Sequence, residues 1–331
     1  MRVGIVGAGT MANVHAAAWK AAGVELVGLM SKNQVSALEM GQKYEARVFD
    51  TYQALLAEVD IIDICTPTDF HKEMVLQAAR MGKHIVCEKP IALTIQDGEE
   101  MMAVCKDAGV RLFIAMVVRF FPQYRLAQQT VASGQLGNVG VMRFKRIGYQ
   151  PLGDEAWFTN EARSGGMVVD LMIHDFDIAR WLGGTVKRVF AKSIRSKTPN
   201  TPSDYALVTL GFDDGKMALI EGGWAYPPGT FRTGFDIAGS EGLLEWNSDD
   251  AVTIKPFLKP KEEAGVARVG VPSSILAEDP YTTEIKHAYD CIKNNKPFLV
   301  TAEDGLEALR IALAAKESLH TGKVVILGDS Q

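Results

Sequence analysis

The chain has 331 residues, too many for one average domain, so two domains are expected. Hydrophobic residues make up 47% and charged residues 23%, an ordinary balance for a globular protein in water. The net charge of −5 speaks against a nucleic-acid-binding surface, which needs a strong basic field, and no apolar run reaches the roughly 18 residues that would span a bilayer.

Met1-Arg2 leads straight into the first strand, so no signal peptide is expected and the cytoplasm is the simplest location. From residue 1 to about 118, short apolar runs alternate with helical periods. The runs lie at 3–6, 25–30, 47–49, 61–65, 84–87 and 111–116, and the helices at about 11–22, 34–44, 51–57, 70–81 and 95–108. β-Branched runs alternating with helices predict a parallel sheet covered on both faces, and six strands match a doubly wound dinucleotide-binding Rossmann domain over residues 1–120. The pattern changes after Arg119-Phe120-Phe121-Pro122. A helix is predicted at 122–133, then strands at 139–149, 186–195, 204–212, 216–224, 231–238, 243–246 and 251–255. Asp213-Asp214-Gly215 and Ser240-Glu241-Gly242 read as turns. One long helix is predicted from about 165 to 182, a surface loop at 257–274, helices at 280–294 and 302–321, and an apolar run at 323–327. Residues 121–331 thus read as an α+β domain with a large, mostly antiparallel sheet. The four cysteines, Cys65, Cys87, Cys105 and Cys291, form no C-x-x-C pair and read as buried reduced thiols.

Gly7-Ala8-Gly9-Thr10-Met11-Ala12 is G-x-G-x-x-A, directly after a strand and directly before a helix. The glycines allow a tight turn and close approach of a pyrophosphate, and the helix N-terminus offers unpaired N–H groups; Gly7, Gly9, Thr10 and Met11 are therefore cofactor candidates. An NAD-specific domain usually ends its second strand with an acidic residue, but here the end reads Met30-Ser31-Lys32. A serine and a lysine suit a 2′-phosphate better than a diol, so NADP is favoured over NAD. Thr66 and Pro67 end the fourth strand on the same carboxyl edge, and His71 follows as a further cofactor candidate. Cys87-Glu88-Lys89-Pro90 closes the fifth strand. Ligands of open α/β sheets bind beyond the carboxyl ends of the strands, so Lys89 is a candidate catalytic group and Glu88 a cofactor-side contact.

The second candidate stretch runs from Ser164-Gly165-Gly166 to His174 and Asp177. Asp170 and His174 stand four apart, which on one continuous helix puts them on one face, and Ser164 can cap that helix. A carboxylate and an imidazole in an apolar helix are costly to bury unless paired or used. A structural Asp–His pair and a general acid/base histidine both fit; a metal site would want more ligands, so no metal is expected.

The ordered set of G-x-G-x-x-A, Thr66-Pro67 with His71, Glu88-Lys89-Pro90, then Gly165-Gly166 with Asp170 and His174 resembles the glucose–fructose oxidoreductase/inositol dehydrogenase (Gfo/Idh/MocA) family over nearly the whole chain. The resemblance implies hydride transfer between NAD(P) and a carbinol of a sugar, inositol or related polyol. It also implies homo-oligomer contacts through the C-terminal sheet and a cis Lys89-Pro90 bond. Lys89 matches the catalytic lysine of the family, and Asp170 and His174 its acidic and histidine partners. On this expectation His174 takes the hydroxyl proton, Lys89 stabilises developing charge on oxygen, and Asp170 orients substrate or imidazole. Arg119, Tyr149, Trp157, Arg163 and Tyr281 are candidate substrate contacts. An NAD-dependent glycoside-cleaving enzyme and a non-catalytic nucleotide sensor are the alternative functions.

Overall fold

A computed structural model describes residues 1–151, 154–194, 205–227, 229–249, 255–258 and 278–328. The first part of the chain runs β1 (Val3–Val6), α1 (Thr10–Ala21), β2 (Leu26–Met30), α2 (Gln34–Tyr44), β3 (Arg47–Val48) and α3 (Tyr52–Glu58). It continues with β4 (Ile61–Ile64), α4 (His71–Arg80), β5 (His84–Glu88), α5 (Ile95–Asp107) and β6 (Leu112–Ala115). Next come α6 (Pro122–Ala132), β7 (Val139–Ile147), α7 (Glu161–Ser164), α8 (Met167–Asp170) and α9 (Ile173–Gly183). The strands β8 (Val186–Ile194), β9 (Tyr205–Phe212), β10 (Met217–Gly223), β11 (Arg232–Gly239), β12 (Gly242–Asn247) and β13 (Lys255–Leu258) follow. The tail holds α10 (Pro280–Lys293), α11 (Ala302–Thr321) and β14 (Val325–Ile326). Most of the predicted strand 251–255 and loop 257–274 lie outside the described residues.

Two compact units emerge, Met1–Phe120 with Glu278–Leu309, and Phe121–Ala277 with Arg310–Gln331. The sequence reading assigned all of 121–331 to the second domain. The difference comes from the returning tail: α10 packs along α1, burying Ile285, Ala288, Cys291 and Ile292 and setting Tyr289 edge-on to Trp19.

In the first unit a six-stranded parallel sheet has the order β3-β2-β1-β4-β5-β6. The central strands β1 and β4, and β6 at one edge, are buried at every position, as expected of strands covered on both faces. The order reverses between β1 and β4, and that switch point is where an open α/β sheet leaves a crevice at its carboxyl edge.

In the second unit an eight-stranded sheet has the order β13-β12-β11-β7-β10-β9-β8-β14. It is antiparallel except where β7 pairs with β10. Along β9 and β10, buried and accessible positions alternate, the period-2 signature of a sheet covered on one face only. α8 and α9 pack against the covered face. The accessible face carries Leu207, Met217 and Leu219 beside the Arg143–Asp236 ion pair. Among the described residues no helix is long and apolar enough to cross a membrane.

Candidate active site

The carboxyl edge of the first sheet brings three loops together. After β1, Gly7 adopts φ +112°, and a Cβ there would lie 2.4 Å from the Cys65 carbonyl oxygen, so the turn admits only glycine. Gly9 is the N-cap of α1 and makes no side-chain cap, and a Cβ built on it would meet nothing within 4 Å. The first turn of α1 therefore offers backbone N–H groups beside open space, with Thr10 exposed and Met11 half-buried. This is a cradle that fits a dinucleotide pyrophosphate.

At the end of β2, Ser31 is mostly buried and its Oγ accepts from the Asn33 N–H at 3.3 Å, while Lys32 is exposed. After β4, Thr66 and Pro67 are half-buried and lead into a 3-10 turn. After β5, the Lys89-Pro90 bond is cis, and Lys89 is half-buried on a buried base of Glu88 and Pro90.

His71 is placed differently from its expected role. Its ring is fully buried, with Nδ1 2.9 Å from the Pro90 carbonyl and Nε2 3.0 Å from the Thr66 carbonyl. Both ring nitrogens thus face carbonyls of the two strand-end loops, and the buried ring turns neither toward the open cleft. Burial pushes its proton affinity down against the pull of the two carbonyls. A neutral ring carries one N–H, so one carbonyl accepts at a time. The residue ties the Thr66 loop to the Lys89-Pro90 turn.

Beneath the same edge lies a polar cluster that sequence reasoning missed. Asp63, fully buried in β4, accepts from Trp19 Nε1 at 2.7 Å and lies 3.0 Å from His15 Nδ1, both on α1. The Cys65 thiol donates to Asp63 at 3.4 Å. One signal was present: Asp63 interrupts the apolar run Ile61-Ile62-Asp63-Ile64, and a lone acid in a buried strand must find partners.

In the second unit, the single helix predicted for 165–182 is two pieces, α8 and α9, with the short α7 before them. Gly165 and Gly166 have φ of +80° and +79°, which no helix contains, so helix restarts at Met167. Ser164 ends α7 rather than capping the next helix: its Oγ donates to the Phe158 carbonyl at 2.8 Å and accepts the Gly166 N–H at 3.0 Å. Lys316 Nζ donates to the Gly165 carbonyl at 3.0 Å and pairs with Glu161, pinning the turn from α11. The second break follows Asp170, where the Met172 N–H reaches back five residues to the Met167 carbonyl. That single wide turn accommodates the Met172 side chain, which fills the space over Gly222 of β10: a Cβ on that glycine would lie 2.4 Å from Met172 Cγ. Asp170 therefore closes α8 and His174 lies in the first turn of α9, rather than both standing in one continuous helix. Asp170 is buried and His174 half-buried. Asp175 points elsewhere, into a fully buried ion pair with Arg146 at 2.7 Å.

The substrate candidates separate. Arg119 is 2% exposed, donating to the Leu299 carbonyl at 3.0 Å and pairing with Asp304 at 3.2 Å, which makes it a structural tie within the first unit rather than a pocket wall. Tyr281 is half-buried in the first turn of α10, also in the first unit. Tyr149 is exposed and bridged to Ala225, Trp157 stacks on Phe158 with centroids 3.9 Å apart, and Arg163 lies in α7 just before the glycine turn.

Comparison with known proteins shows the family. Residues 1–116 match the family model GFO_IDH_MocA, described as an oxidoreductase family with an NAD-binding Rossmann fold. Residues 124–245 match the GFO/IDH/MocA C-terminal domain. The chain is 28% identical to a myo-inositol 2-dehydrogenase of Thermotoga maritima, with 99% of each chain covered. It is also 28% identical to an inositol 2-dehydrogenase of Rhizobium meliloti, over 96% of this chain and 97% of that one. The structure of levoglucosan dehydrogenase in complex with NADH and levoglucosan superposes with a TM-score of 0.84 at 22% identity, covering 98% of this chain and 99% of that one, a likeness of fold.

Proposed function

Because this chain belongs to the Gfo/Idh/MocA family of oxidoreductases, we propose that it transfers a hydride between NADP and a carbinol carbon of a sugar, inositol or related polyol. The observation that carries the reading is the carboxyl edge of the first sheet. The open glycine cradle of Gly7 and Gly9 and the lysine of Glu88-Lys89-Pro90 stand at the ends of strands on either side of the β1–β4 switch point. The inositol dehydrogenases similar along their whole length support a polyol substrate.

Gly7, Gly9, Thr10 and Met11 would hold the pyrophosphate through main-chain N–H groups and the α1 dipole. Ser31 and exposed Lys32, with no carboxylate at the end of β2, support NADP over NAD. Thr66, Pro67 and Glu88 would line the nicotinamide half. Bound there, the nicotinamide supplies the hydride acceptor. His174 acts as the general base that takes the hydroxyl proton. Lys89, as an ammonium, stabilises negative charge developing on the substrate oxygen. Asp170 orients the imidazole or the substrate, and Tyr149, Trp157, Arg163 and Tyr281 are proposed substrate contacts. The accessible sheet face, with Leu207 and Leu219 exposed, supports a homo-oligomer.

A panel of inositols, sugars and keto-sugars assayed with NAD and NADP side by side tests the reading. Net accumulation of NADPH with a free polyol is expected. Cleavage of a glycoside without such accumulation, or a strong NAD preference, contradicts the corresponding part.

A further inference from the structure

The buried cluster beneath the carboxyl edge has a direct line to Lys89. His15 is fully buried, and its two nitrogens face two different carboxylates. Nδ1 is 3.0 and 3.1 Å from the Asp63 oxygens. Nε2 is 3.1 Å from Glu88 Oε1, within ion-pair range but off the line of a good hydrogen bond. The other Glu88 oxygen, Oε2, accepts the main-chain N–H of Lys89 at 3.0 Å. The titratable groups around the ring, among the described residues, are Asp63 and Cys65 at the end of β4, Glu88 of β5 and Glu284 of α10. Glu284 is fully buried with neither oxygen hydrogen-bonded. Burial, opposed by His15 and reinforced by Glu88, Asp63 and Asp279, raises its carboxyl well above the ordinary range.

The donor atoms of His15, Asp63 and Cys65 lie within 4.8 Å of one another, a spacing a metal could use. Each is already satisfied by the others, and a closed structural site takes four ligands. The arrangement is better explained by what Glu88 requires. A buried carboxylate is costly without a cation or donor beside it. The imidazolium of His15 supplies that charge from below.

We propose that His15 is a positioning residue for Lys89: braced by Asp63, its ring holds the Glu88 carboxylate, and that carboxylate holds the Lys89 main chain. The proposal rests on the catalytic assignment of Lys89 made above.

The test uses the full chain with His15→Gln, Glu88→Gln and the double variant, at saturating cofactor. Two readouts are taken: hydrogen exchange at the Lys89 amide, and kcat with KM for the best polyol. Each single variant is expected to speed Lys89 amide exchange and to lower kcat by about 10-fold with little change in KM, and the double variant to lose no more than the worse single one, as for residues acting in series. Losses that multiply, or a Lys89 amide as protected as in wild type, overturn the proposal. A released amide with full kcat leaves the positioning intact and overturns instead the catalytic reading of Lys89. If His15→Gln does not fold, Glu88→Gln alone reads the same amide with the His15–Asp63 pair in place, and wild-type protection and kcat in that variant overturn the proposal.

Discussion

A histidine buried among carboxylates carries its charge into the stability of the fold. For His15, burial opposes the proton, but Asp63 and the Cys65 sulfur outweigh it, raising the proton affinity well above the ordinary value of 6.5. The folded chain then holds this proton more tightly than the unfolded chain. The resulting stabilisation is complete below pH 6.5 and is lost as pH rises through the folded value, at about 1.4 kcal/mol for each tenfold difference in proton affinity between the two states. The gap in denaturation midpoint between wild type and His15→Gln should therefore be widest in mild acid and narrow steadily toward alkaline pH; a gap that stays constant would contradict a charged His15. His71 carries the opposite sign. Burial lowers its proton affinity, so the unfolded chain takes up the proton first and the contribution of His71 is lost as pH falls below 6.5. The two histidines brace the same Lys89 loop, one through Glu88 and one through Pro90, and respond to pH in opposite directions.

At the scale of elements, the turn before α8 depends on backbone that only glycine adopts readily. Gly165 has φ +80°, and a Cβ there would lie 2.6 Å from Val169 Cβ, inside the turn that Ser164 and Lys316 hold closed. Gly165→Ala should destabilise the second unit by roughly 1–3 kcal/mol through φ strain and the clash, and leave dinucleotide binding by the first unit unchanged. Thermal unfolding and cofactor titration read the two effects separately, and an unshifted transition would contradict the strain. The strands and the phosphate turn were legible in sequence because period-2 and continuous apolar runs are local signals, as is a Gly-x-Gly between strand and helix. The break after Asp170 was not legible. Leu171 and Met172 are good helix formers, and the wide turn there answers to Gly222, fifty residues on, which leaves room for the Met172 side chain. The buried pairs escaped for the same reason: Asp63 lies 48 residues from His15, and Arg119 lies 185 from Asp304. Each polar residue was visible in its apolar setting, but its partner was not.

For the molecule as a whole, the first unit is completed by a segment that returns after the second has begun. The sequence shows α10 as an amphipathic helix but gives no sign of which core its apolar face joins, and that core is the side of α1 carrying Trp19. Ile285, Ala288, Cys291 and Ile292 are all buried there. At about 1.5–3 kcal/mol for each large side chain, their loss would approach the ~5–15 kcal/mol total stability of a typical domain. A chain ending at Ala277 should lose the cooperative unfolding transition of the first unit along with NAD(P) binding; a truncated chain that still binds dinucleotide tightly would contradict this division. The proposed catalytic roles of Lys89 and of His174 are tested most directly by the turnover of Lys89→Ala and His174→Ala with the best polyol from the panel, with cofactor affinity and folding checked in parallel. Each variant should fold, bind NAD(P) as wild type does and lose at least ~10²-fold in kcat, the contribution typical of a group that moves a proton or stabilises charge in the transition state. Near-wild-type turnover from a folded, cofactor-binding Lys89→Ala or His174→Ala protein would contradict it.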